Sequence, residues 1–78
     1  MRLPRGLSGD QLIRTLREIG YVVILQRGSH VKLRHAGPPV HTISVPRHDS
    51  LKIGTLHALL GEVAAMRSRS VDSILELL

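Results

Sequence analysis

The spacing of apolar residues along the chain runs from a helical period to an alternating one and back again. Leu12, Ile13, Leu16 and Ile19 fall on one helical stripe, which predicts a helix from about Ser8 to Ile19. Ser8 is a good N-cap with Gln11 three residues on, as in a capping box, and Gly20 supplies a left-handed stop. Three strands are predicted next. Tyr21 to Gln26 is an apolar, β-branched run, and Arg27-Gly28 marks a turn. From Ser29 to His35 the residues alternate, with Val31 and Leu33 on one face and His30, Lys32 and Arg34 on the other. Gly37-Pro38-Pro39 breaks the pattern. Val40 to Val45 then sets Ile43 and Val45 against Thr42 and Ser44, and Pro46 closes the strand. Leu56, Leu59, Leu60, Val63 and Ala64 restore the helical period after Gly54-Thr55. Gly61, inside that helix, costs about 1 kcal/mol relative to Ala, so a close approach or a bend is expected there. Ser70 is placed to cap a short last helix reaching Leu78, with Ile74, Leu75 and Leu78 apolar.

The order α-β-β-β-α, with a short terminal helix, predicts an α+β sandwich. Short connections favour a three-stranded antiparallel meander, with the helices on one face and the other face open to solvent or a partner. At 78 residues the chain is read as a single domain. A domain of that size buries only about 60% of the surface its unfolded chain exposes, so it must pack efficiently or gain stability from a partner. Tyr21 is the one aromatic residue, which leaves Leu, Ile and Val to build the core.

The sequence has no cysteine, which excludes disulfides and thiolate metal sites and suits a reducing compartment. No apolar run approaches the roughly 20 residues of a membrane span, and Met1 to Gly6 lacks the apolar segment of a secretory leader. A cytoplasmic protein is expected. Charge sharpens the picture. Eleven Lys and Arg against six Asp and Glu give a formal net charge of +5, which points to a polyanion, nucleic acid first, or to an acidic protein.

The open face carries the candidate chemistry. His30 stands there with Lys32 and Arg34, whose cations suit a phosphate backbone. RNA cleavage without a metal needs a base to take the ribose 2′-hydroxyl proton and cations to stabilise the phosphoryl oxygens. His30 can act as that base, Lys32, Arg34 and Arg27 as the stabilising groups, and the backbone N–H groups around Gly28 and Ser29 can help hold the phosphate. Ser29 and His30 are adjacent strand residues that point to opposite faces, so they do not form a nucleophile–base pair. His35 and His41 flank the Gly-Pro-Pro turn and can face one another, but the histidines lack tight metal-ligand spacing, and no metal or other cofactor is expected. His48 is read as a loop residue that could assist the site, and His57 as exposed.

Several of these residues also resemble a known family. Gly20-Tyr21 and Gln26-Arg27-Gly28-Ser29-His30 are similar to the glycine-aromatic and Gly-Ser-His signature of HicA toxins. Val45-Pro46-Arg47-His48 resembles that family's Val-Pro-x-His stretch, and Gly54-Thr55-Leu56 its Gly-Thr-Leu. Leu7-Ser8-Gly9 and the patterned helix after it match the family's opening, so the resemblance runs over about residues 7 to 64 in order and spacing. It implies a double-stranded-RNA-binding-domain-like fold and an mRNA-cleaving toxin of a type II toxin–antitoxin pair. It further implies that His30 is the catalytic residue and that a HicB-like antitoxin covers the active-site face. The tail departs from the family pattern: Asp72 and Glu76 supply acid, but no Phe is present. An alternative from a different class is a non-catalytic RNA-binding module of the same fold, gripping RNA through Lys32, Arg34 and other basic residues.

Overall fold

The computed structural model describes residues 3–78; Met1 and Arg2, the start of the stretch read above for a leader, lie outside the described residues. Helix α1 spans Gly9–Ile19, strands β1, β2 and β3 span Val22–Arg27, His30–His35 and His41–Pro46, and helices α2 and α3 span Ile53–Arg67 and Val71–Leu75. The strands form one antiparallel sheet in the order β1-β2-β3. This is a small α+β fold with an open three-stranded sheet.

Local chemistry sets the helix ends. The Ser8 hydroxyl accepts from the Gln11 N–H while the Gln11 side chain accepts from the Ser8 N–H, so a reciprocal capping box starts α1. Gly20, in the left-handed region, ends α1, and its N–H donates back to Leu16 and Arg17. Ser70 caps α3 by accepting from the Ser73 N–H. That last helix is one turn and a half and stops at Leu75, short of the expected Leu78, where Leu77 and Leu78 are exposed. Nothing lies within 4 Å of where a Cβ on Gly61 would stand, so the close approach expected there does not exist. Pro46 belongs to β3 rather than ending it; its missing N–H is tolerated on an edge strand.

The core lies between the sheet and the helices. Val31 and Leu33 of β2 and Ile43 and Val45 of β3 point inward to meet Leu12 and Leu16 of α1 and Leu56, Leu60 and Val63 of α2. Leu7, Tyr21, Leu51 and Ile74 close the periphery of this cluster. Both long helices pack against β3. That leaves β1 as the outlying strand, and none of its six residues is buried.

The β1–β2 register contains a bulge between Val23 and Leu25. A bulge adds one residue to one strand and switches the faces beyond it. Val22, opposite Arg34, and Leu25, opposite Lys32, therefore share the open face, while Val23, opposite Leu33, and Gln26, opposite Val31, lie on the helix side. Strict alternation along β1 would have separated Val22 and Leu25.

Candidate active site

The β1–β2 connection is a two-residue loop, Gly28-Ser29, since Arg27 pairs with His30. Gly28 has φ +55° while Ser29 keeps a negative φ, the sign pattern of a type II′ hairpin turn, whose first position favours Gly. The turn delivers His30 as the first residue of β2, opposite Arg27 on one side and Pro46 on the other. His30 alternates with the buried Val31, so the core fixes its outward direction.

On the open face His30 joins Leu25, Arg27, Lys32 and Ser44 in lining a shallow depression of about 300 Å³. The structure thus brings His30, Arg27 and Lys32 together. Arg34 shares their face but lines a separate depression with Gly20, Val22, Ile24 and Ala36. Gly28 and Ser29 form the turn beside the first depression without lining it. Leu25 and Ser44 are the residues that reading the sequence missed. Ser44 is opposite Lys32, so correct strand register would have found it, whereas Leu25 reaches this face through the bulge. His48 is exposed and outside the depression lining, as the loop reading has it, and His57 is exposed on α2.

Residues after β3 brace the turn from the far side. The Arg47 N–H donates to the Ser29 carbonyl at 2.6 Å, continuing the ladder onto the loop. The Arg47 guanidinium grips Asp10 at the start of α1, Nε to Oδ1 at 2.7 Å and Nη2 to Oδ2 at 3.2 Å. That hydrogen bond holds the Asp10 carboxyl below its usual range and raises the Arg47 guanidinium further. Gly9 lets α1 come this close: its N–H donates to the His48 carbonyl at 2.9 Å, and a Cβ there would overlap the Pro46 carbonyl oxygen. The start of α1, the end of β3 and the turn before His30 are therefore held as one unit.

The opposite end of the sheet holds a different histidine. His35 pairs with His41 across the β2–β3 hairpin, as their positions around the turn suggested. His41 is buried, with Nδ1 2.6 Å from the Tyr21 hydroxyl and Nε2 2.7 Å from Glu62 Oε1. A carboxylate only accepts, so Nε2 carries a proton, and in the neutral ring Nδ1 accepts from Tyr21. His35 Nδ1 accepts from the Gly37 N–H and from Arg67, whose guanidinium also donates to the Pro39 carbonyl. Burial pushes the Tyr21 hydroxyl above its ordinary value; nearby Arg67 opposes this and Glu62 adds to it. These groups are spent on one another, and His41 has no access to a substrate.

No helix among the described residues is long and apolar enough to cross a membrane. No curated protein and no solved structure matches the chain. The family model described as "HicA toxin of bacterial toxin-antitoxin" matches residues 9–64, well over half of the 78-residue chain and including the turn, His30 and the bracing loop. With that match, the chain belongs to the HicA toxin family of toxin–antitoxin systems.

Proposed function

We propose that the chain is a metal-independent endoribonuclease that cleaves mRNA at the depression around His30. The observation that supports this most is the placement of an exposed imidazole in one depression with two cations, on the uncovered side of the sheet. A phosphodiester seated there has Arg27 and Lys32 against its non-bridging oxygens. His30 takes the proton of the adjacent ribose 2′-hydroxyl, and that oxygen attacks phosphorus in line. The bond to the 5′-oxygen breaks, and the departing oxygen is protonated through water. The products are a 2′,3′-cyclic phosphate and a 5′-hydroxyl. One imidazole between two cations gives a divalent metal a single ligand and a repulsive field, so the donor set favours the metal-free route. Arg34, one depression away, binds the strand beyond the cleaved bond, and the turn at Gly28 and Ser29 holds His30 in place.

Toxicity follows from this chemistry, and a HicB-like antitoxin would silence it by covering the open face. The system operates where mRNA is translated, in the cytoplasm. The test is purified protein with RNA and a chelator in excess. Cleavage that persists with chelator, leaves cyclic-phosphate ends and is lost on an RNA bearing 2′-deoxyribose at the cleaved position supports the reading. RNA bound but left intact by the wild type assigns the site to RNA binding alone.

A further inference from the structure

β1 is the least covered of the three strands. Val22, Val23, Ile24 and Leu25 are 62%, 40%, 50% and 42% exposed, four consecutive aliphatic residues showing on both faces of the sheet. β1 pairs with β2 alone, so its outer edge has no strand beside it among the described residues. Proteins blunt such edges with Lys, Pro, bulges or a covering element. The stretch Val22–Leu25 has no charge and no proline, and the long helices sit over β3. Among the described residues, the bulge is the one blunting device within that stretch.

Both flanks of this edge are shaped to receive side chains. On the helix side a depression is lined by Ile13, Val23, Gln26, Val31, Asp10 and Arg47. On the open side lies the one that Arg34 shares with Val22 and Ile24. An added strand projects alternate residues to the two faces, so one strand fills both.

Charge chooses among occupants. Arg27, Lys32 and Arg34 line the open face beside β1, while Asp10 on the helix side is already paired with Arg47. A second copy of the chain brings another +5 and repeats that row. RNA offers no peptide groups for the ladder, and β1 has no aromatic ring on which a base could stack. An acidic polypeptide with aliphatic residues satisfies the edge, the two depressions and the cations together.

We propose that the outer edge of β1 accepts an extended, acid-flanked strand of the cognate antitoxin, enlarging the sheet from three strands to four. The partner's identity rests on the toxin reading, but the docking does not depend on His30. The experiment measures amide hydrogen exchange of the chain alone and in complex with its antitoxin. Edge docking slows exchange within Val22–Leu25 by about tenfold or more. Binding with those amides unchanged, or no binding, overturns the proposal. Ile24→Asp, at an exposed position, is expected to weaken antitoxin binding by about tenfold or more while the free chain stays folded, as its melting shows. His30→Ala is expected to bind antitoxin like wild type whether or not the wild type cuts RNA, which separates this proposal from the ribonuclease reading. Wild-type affinity for Ile24→Asp, or a stable dimer of the isolated chain that Ile24→Asp dissolves, contradicts it.

Discussion

His30 and His41 occupy opposite ends of the β2–β3 ladder, where the same side chain meets opposite surroundings. His41 is buried with both ring nitrogens committed, one to Tyr21 and one to Glu62. His30 stands in solvent, in a depression shared with two cations. One ring joins α2 to the sheet and fixes the fold. The other is exposed where a ligand can reach it. What a histidine does here is decided by which atoms already occupy its nitrogens, more than by the strand that carries it.

Substitutions at the buried end should change stability and spare chemistry. His41→Ala removes a packed ring and orphans the Tyr21 hydroxyl. A loss of roughly 3 kcal/mol is expected, seen as a fall in melting midpoint of roughly 10–20 °C. RNA cleavage per folded molecule should stay at the wild-type level. Tyr21→Phe keeps the ring volume but leaves His41 Nδ1 without its donor, and costs roughly 1–2 kcal/mol in denaturant unfolding. It should also remove an alkaline transition. Because the folded state raises the Tyr21 pKa, its contribution is complete below the ordinary value near 10 and disappears as pH rises through the higher folded value. Absorbance of this single tyrosine follows that ionisation directly.

At the open end the effects fall on RNA and leave melting nearly untouched. Lys32→Ala should weaken RNA binding and flatten its salt dependence, reducing the log–log slope by about 0.7 for a single strand. Arg34→Ala, acting from the neighbouring depression, should lower affinity with less effect on the cleavage step. Fluorescence anisotropy across a salt series separates the two. The smallest effect belongs to the exposed Asp10–Arg47 pair. Its carboxyl is held low, so its contribution is present above the ordinary Asp range near 4 and lost as pH falls through the lower folded value. Wild type should show a slight acid-side loss of stability that Asp10→Asn lacks.

The open end was the more legible in the sequence. Alternation through Val31 and Leu33 is enough to send His30, Lys32 and Arg34 outward, and the turn at Gly28 is a local signal. The capping box at Ser8 and Gln11 and the stop at Gly20 were equally local, as was the order of elements. What escaped depends on distant or backbone-level facts. The bulge that brings Leu25 beside His30 leaves no mark in a run of four aliphatic residues. His41 keeps step with Ile43 and Val45, so its inward direction was available. Its partners Tyr21 and Glu62, however, stand 20 and 21 residues away and meet it only once the chain has folded. Arg47 reads as one more surface cation until Gly9 is seen to admit α1 against the end of β3.

The contrast between the two histidines comes down to one paired measurement, single-turnover RNA cleavage and thermal melting of wild type beside His30→Ala. The expected result is a rate lower by roughly 10²–10⁴-fold, the usual worth of a general base, with melting unchanged to within about 0.5 kcal/mol. A variant that cleaves at the wild-type rate, or one whose melting collapses as that of His41→Ala should, contradicts the assignment of His30 to chemistry.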